Sequence, residues 1–122
     1  MIQNFYDLKI WQKANSLAKD IYELTKNFPN EEKYGLTSQI RRASTSIGAN
    51  IAEGFGKHYI KDKIKFMHQA RGSLYEVQNF IFFSKDLKLM NEKQARKIFS
   101  DYQGLSKGLN VFINRLGNVN KN

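Results

Sequence analysis

Apolar residues recur at steps of three and four along four segments of the chain, and this spacing constrains the fold more than any other feature. Such steps return an α-helix to the same face, because it has 3.6 residues per turn. The four segments cover about residues 7–27, 37–55, 60–87 and 91–117. The sequence therefore predicts four helices, and its single proline, Pro29, falls just after the first of them.

Short connections separate the four predicted helices, and they limit how the helices can be arranged. Helices joined by few residues run antiparallel to their neighbours, and 122 residues are enough for one domain. We predict an all-α fold, a single domain over residues 1–122 that forms an antiparallel up-and-down four-helix bundle. A coiled-coil hairpin is the rival fold, but the apolar arcs are wider than the two-position seam of a heptad repeat.

Residues that cap helices mark three of the predicted helix starts. Asp7 is expected to cap the first helix, and either Thr37 or Ser38 the second. Asn91 with Gln94 three residues later forms the pattern of a reciprocal cap at the fourth.

Glycines and loss of periodicity mark the predicted helix ends. Gly54 and Gly56 are expected to close the second helix in the left-handed conformation. Residues 117–122 have no apolar period, so we expect them to fray.

Three predicted helices carry more apolar or small surface than one bundle core requires. The first and third have a second apolar row, and one face of the second has small side chains and two charges. Large apolar patches mark interfaces, so we predict self-assembly, with ordinary surface charge as the alternative for the two charged residues. The predicted interface residues are Ile10, Leu17, Leu24, Arg42, Ser46, Ala49, Glu53, Phe80 and Phe83.

Basic residues outnumber acidic ones by 20 to 11, a formal charge of +9, and residues 57–122 hold 13 of the bases and 5 of the acids. Cations spaced along a helix could follow phosphates, and an aromatic ring among them could stack on a base. A solvated lysine face is the simpler interpretation, since surface charge alone defines no specific site. The candidate nucleic-acid-binding residues are Lys57, Lys61, Lys65, His68, Arg71, Tyr75, Lys93, Arg96 and Lys97.

Other functional classes find little support in the residues. The absence of cysteine excludes disulfides and thiolate ligands, and His58 and His68 have no pair of carboxylates near them. Residues 54–57 only superficially resemble a phosphate loop, since a predicted helix precedes them. We find no nucleophilic triad, cofactor motif or small-molecule site. The longest apolar run, residues 80–83, is too short for a membrane span, and we expect a cytoplasmic protein.

Several stretches, in order, resemble a known family. They are 5–14 (FYDLKIWQKA), 34–43 (YGLTSQIRRA), 46–47 (SI), 50–57 (NIAEGFGK), 66–70 (FMHQA) and 72–76 (GSLYE). This pattern is similar to that of the bacterial four-helix bundle proteins encoded in 23S rRNA intervening sequences, also called S23 ribosomal proteins. One departure is Gly48, where the family carries a proline.

The resemblance implies an antiparallel bundle that assembles into a ring, commonly a homopentamer. The accessory proteins of diversity-generating retroelements resemble this fold, form pentameric barrels, and bind reverse transcriptase and nucleic acid. We therefore expect a non-enzymatic, self-assembling scaffold or accessory protein whose basic third and fourth helices contact RNA or an RNA-handling protein. The alternative is a pure protein–protein interaction module that binds no nucleic acid.

Overall fold

The computed structural model describes residues 1–121, with side chains through residue 119, and these residues form four α-helices and two 3₁₀ turns. The elements are the 3₁₀ turns Phe5–Asp7 and Asn30–Glu32 and the helices α1 (Lys9–Thr25), α2 (Leu36–Phe55), α3 (Ile60–Asp86) and α4 (Glu92–Lys121). Residues 1–121 contain no strand, so the predicted all-α class is confirmed.

Each helix packs against two neighbours. α1 lies beside α2, α2 beside α3, α3 beside α4, and α4 beside α1, and over residues 1–121 the backbones of the diagonal pairs do not approach one another as closely. Each helix contributes its predicted apolar row to the core, where Ile21, Ile47, Leu74 and Leu109 have no exposed surface. Burial of such side chains stabilises the fold by about 1.5–3 kcal/mol each. The predicted antiparallel four-helix bundle is confirmed.

The helix starts agree only in part with the predicted caps. At α4, Asn91 Oδ1 accepts the Gln94 N–H at 2.8 Å and Gln94 Oε1 accepts the Asn91 N–H at 3.1 Å, which confirms the reciprocal cap. Asp7 lies in the preceding 3₁₀ turn, and its side chain does not cap α1. At α2, Glu32 Oε1 accepts the Leu36 N–H at 3.2 Å, so the predicted Thr37 or Ser38 cap is wrong.

The end of α2 uses its glycines differently from the prediction. Gly56 has a right-handed φ of −76°, and no glycine in residues 1–121 has a positive φ. Gly54 instead allows close packing, since a Cβ there would lie 2.8 Å from Met67 Cε and 3.0 Å from Phe66 Cβ. The prediction of a left-handed closure is therefore wrong, and the short distance between α2 and α3 explains the glycine at position 54.

Gly48 lies against an indole ring. A Cβ at Gly48 would lie 3.4 Å from Nε1 of Trp11, which packs between α1 and α2 against the core. The Trp11 ring is held on its other side by an edge contact with Phe5, with centroids 5.3 Å apart. A Cβ at position 48 would thus make an ordinary van der Waals contact with Trp11, so this packing does not require glycine there.

α4 is longer than its apolar pattern predicted. It continues past residue 117 to Lys121, so the expected fraying is wrong for residues 117–121, and residue 122 lies outside the described residues. The extension contains no proline, so its backbone hydrogen bonds can continue. None of the helices in residues 1–121 is long and apolar enough to cross a membrane.

Candidate nucleic-acid and assembly surfaces

Much of the predicted basic row lies on the outer side of α3. Lys61, Lys65 and His68 are exposed and follow one another at steps of four and three residues. Arg71 and Tyr75 continue the row toward α4, and Tyr75 is 51% exposed. The structure thus brings five of the predicted nucleic-acid-binding residues to one side of one helix.

Lys57 does not belong to this row. α3 begins at Ile60, so the four-residue step that linked Lys57 to the helix does not apply. Its ammonium lies 5.0 Å from the ring centroid of Phe66, which packs beside Gly54 of α2. The predicted position of Lys57 is therefore wrong, because its side chain covers an aromatic ring on the α2 side of the bundle.

The three predicted cations of α4 are separated from the α3 row. Lys93, Arg96 and Lys97 are exposed in the first two turns of α4, which lie beside the end of α3. At a rise of 1.5 Å per residue, these three residues lie roughly 35 Å along the bundle from Lys61. Arg96 also pairs with Glu92 at 2.6 Å and Lys97 with Asp101 at 3.0 Å. Lys93 and Lys97 therefore do not extend the α3 row, whereas Arg96 lines a small cavity with Phe82 and Lys85 of α3. Their contact with nucleic acid stays a prediction.

Aromatic and amide side chains occupy the seam between α3 and α4. The rings of Phe82 and Phe99 meet edge to face with centroids 5.0 Å apart, and Gln78 Nε2 donates to Gln103 Oε1 at 3.0 Å. Phe82 nevertheless keeps half of its surface exposed. Phe82 was not among the predicted site residues, although it follows Tyr75 by seven residues, a spacing that returns a helix to nearly the same face.

A second exposed apolar row occupies the last turns of α3, on the side toward α2. Phe83 is 51% exposed and Leu87 48%, and Phe80 of the same row is half-buried. Glu76, one turn earlier in the row, pairs with Arg42 of α2, which fixes the direction in which the row points. Phe80 and Phe83 therefore lie where a second apolar face was predicted, and their part in assembly stays a prediction.

The predicted interface row on α1 is not continuous. Leu17 is only 2% exposed because the other helices enclose it, so its assignment to an outer face is wrong. Ile10 and Leu24 of the same row are half-buried. Ile10 packs beside Gly108 of α4, where a Cβ would lie 3.3 Å from Ile10 Cγ2. The α1 row therefore belongs mainly to the bundle itself.

The small-residue face of α2 is partly engaged with α3. Ser73 Oγ donates to Ser46 Oγ at 3.1 Å, and Arg42 has its counter-ion, Glu76, within the same subunit. Ala49 and Glu53 are exposed, and Glu53 takes part in no ion pair over the described residues. Ser46 is thus partly covered, while Arg42, Ala49 and Glu53 stay exposed on this face.

A cleft of about 510 Å³ separates parts of α1 and α4, with Asp20, Leu24, Lys93 and Lys97 among its lining residues. Tyr102, which follows the cleft residue Asp101 in the chain, is fully buried, and its hydroxyl has no hydrogen-bond partner among the described groups. Burial, and then the carboxylate of Asp20, raise the pKa of this phenol above its ordinary range. The described residues include no group of three potential metal ligands.

Fold and surfaces together define a small, basic helical-bundle protein whose candidate functional groups lie on outer helix faces. The chain belongs to the 23S rRNA-intervening sequence protein family, which matches over residues 6–111. It is also similar to a crystal structure of a protein of unknown function from the S23 ribosomal protein family, from Bacteroides thetaiotaomicron. That match has a TM-score of 0.80 and 27% identity, and it covers 86% of this chain and 95% of the other. No curated protein matches.

Proposed function

We propose that this protein is a non-enzymatic, self-assembling scaffold or accessory protein of the cytoplasm that presents the outer face of α3 to RNA or an RNA-handling protein. One observation carries the proposal. The outer side of α3 is cationic in its first half, at Lys61 and Lys65, and aromatic in its second, at Phe82 and Phe83. A helix that only needed to be solvated would have little use for the exposed rings.

Assembly follows from the apolar row on the α2 side of α3. Phe83 and Leu87 expose about half of their surfaces in adjacent turns, at the end of the bundle. Subunits that repeat one such contact form a ring when the rotation between neighbours closes, and the family resemblance leads us to expect five subunits. Removal of these apolar surfaces from water would provide the driving force.

The RNA contact follows from the cations on the first half of α3. Lys61, Lys65 and His68 are exposed, and no ion pair engages them over the described residues. Free cations on a rigid helix can replace the counterions of a phosphate backbone.

The assembly is tested by light scattering after size-exclusion chromatography. We expect about 71 kDa at micromolar concentration, five times the 14.2 kDa subunit. Phe83→Glu should lower this mass while the circular dichroism spectrum keeps its helical form. Tyr34→Glu is the matched control, because Tyr34 is 87% exposed in the α1–α2 connection. A 14.2 kDa wild-type monomer would refute self-assembly.

The RNA contact is tested by fluorescence anisotropy with a labelled single-stranded RNA at several salt concentrations. We expect binding at low salt that weakens as salt rises. The alternative, a protein–protein interaction module whose charge only keeps it soluble, predicts no binding even at low salt. That result would remove RNA from the proposal and leave assembly in place.

A further inference from the structure

We propose that the seam between α3 and α4 binds single-stranded RNA by stacking bases on Tyr75 and Phe82, and this inference rests on the proposed RNA contact. We call this surface the stacking face. It consists of Arg71, Tyr75, Phe82 and Lys85 of α3 together with Phe99 and Lys107 of α4. The candidate row on α3 leads into it from Lys61 and Lys65.

Two half-exposed rings point to the same side of α3. Tyr75 is 51% exposed and Phe82 50%, and seven residues place them about 10 Å apart along the helix axis. The Phe82 ring is held by its edge contact with Phe99, so an incoming base meets a ring whose orientation is already fixed. A preorganised aromatic ring loses little conformational freedom when it binds.

Cations and amides surround these rings. Arg71 Nη1 is held by Asn110 Oδ1 at 2.8 Å, while its remaining N–H groups make no hydrogen bond within the described residues. The Lys85 ammonium lies over the Phe82 ring, 5.4 Å from its centroid. A base that stacks on this ring face would displace the flexible lysine, whose charge could then meet the phosphate of that nucleotide. Lys107 is exposed between Gln103 and Asn110, both of which bond to α3, so helix periodicity puts it on this side.

The acids of this half of the chain are turned to other surfaces or stand at helix ends. Glu76 pairs with Arg42 on the α2 side, and Asp101 lines the cleft with α1. Asp62 and Asp86 stand in the first and last turns of α3. Glu92 lines a small cavity with Phe82 and Phe99 at the far end of the stacking face, where its charge is balanced by the ion pair with Arg96. The middle of the stacking face is therefore cationic and aromatic, a combination that fits a polyanion with exposed bases.

Single-stranded RNA fits this face better than a duplex does. Bases in a helix are stacked on one another, so protein rings reach them only where a strand is open. Phe83, the proposed assembly residue, lies about 100° away around α3, so a ring of subunits would leave the stacking face accessible.

The test compares a ten-nucleotide oligouridine with an RNA duplex of the same length, at one low salt concentration. Tyr75→Ala and Phe82→Ala should each weaken single-strand binding about fivefold to hundredfold and change duplex binding less than twofold. Tyr34→Ala, at an exposed ring elsewhere, should change neither. Native mass and helical circular dichroism verify that each variant folds and assembles.

A second variant gives a direct signal of stacking. Phe82→Trp should retain single-strand affinity. The fluorescence of this variant should be quenched as oligouridine saturates the protein. The quenching should exceed the change in wild-type fluorescence, which comes from Trp11. Unchanged oligouridine affinity in both alanine variants, or equal losses for duplex and single strand, would overturn the stacking face while the RNA contact stands. Wild type that binds neither RNA would refute both proposals.

Discussion

Gly54 of α2 lies so close to Met67 of α3 that a Cβ on the glycine would stand 2.8 Å from Met67 Cε. The flexible methionine could move aside, but the same Cβ would also lie 3.0 Å from Phe66 Cβ and 3.3 Å from the Lys63 carbonyl oxygen. Those atoms belong to the backbone of α3 or adjoin it. Gly54→Ala should therefore push the two helices apart and reduce the free energy of unfolding by about 1–3 kcal/mol.

Urea denaturation followed by circular dichroism measures this effect, and Gly104→Ala is the control. Gly104 lies in α4, and a Cβ on it would meet no atom within 4 Å, so alanine there should only gain helix propensity. We expect that variant to be more stable by up to about 1 kcal/mol. Equal stability changes at positions 54 and 104 would contradict the close-packing explanation.

The buried hydroxyl of Tyr102 should make the protein sensitive to alkaline pH. Its pKa is raised by burial and by Asp20, so the folded state keeps the proton at a pH where the unfolded state has lost it. The unfolded state then binds fewer protons, and stability falls as pH rises above about 10. Above that pH, we expect Tyr102 to lower the free energy of unfolding by up to about 1.4 kcal/mol per pH unit. Tyr102→Phe should abolish this dependence.

Unfolding by urea at a series of pH values from about 8 to about 11 tests this, with Tyr34→Phe as the control at an exposed ring. At neutral pH, Tyr102→Phe should match or exceed wild type by about 1 kcal/mol or more, since it removes a hydroxyl without a partner. A clear loss of stability at neutral pH would instead show that the hydroxyl is satisfied.

Number, type and arrangement of the helices could be predicted from the sequence because each depends on local patterns. The period of the apolar rows selects helix, and the length of the connections selects antiparallel neighbours. The Asn91–Gln94 cap is equally local, and it was predicted correctly. The closeness of Gly54 to α3 depends on where two helices meet, which no single segment encodes.

The candidate surfaces were less predictable for the same reason. Leu17 shares a row with Ile10 and Leu24, and only the packed bundle reveals that it alone is enclosed. Lys61 and Lys97 looked like parts of one basic surface until the antiparallel order placed them near opposite ends. Phe82 could have been found from its seven-residue spacing to Tyr75, but its contact with Phe99 required the structure.

The end of α3 offers a stabilising substitution. Lys88 has a φ of 61°, and its N–H and that of Leu89 donate to the carbonyls of Lys85 and Ser84, both at 2.9 Å. This is the Schellman arrangement, in which glycine usually occupies the left-handed position because it has no Cβ. Lys88→Gly should raise the free energy of unfolding by roughly 0.5–1 kcal/mol.

Thermal or urea unfolding measures this gain. Lys88→Ala distinguishes its two possible sources, removal of the Cβ and removal of the charge. Alanine removes the same charge but keeps the Cβ, so it should show no gain. If alanine and glycine stabilise equally, charge and not backbone conformation is the cause.

The salt dependence of RNA binding distinguishes the two groups of cations that the structure separates. Replacing Lys61 and Lys65 by alanine should weaken oligouridine binding. The negative slope of log K against log salt should become shallower by about 1.4, because each phosphate contact on a single strand contributes about 0.7. Lys93→Ala with Lys97→Ala removes the same charge from the cleft side of α4 and should leave the slope nearly unchanged. Equal losses from both pairs would mean that overall charge, and not the outer face of α3, attracts the RNA.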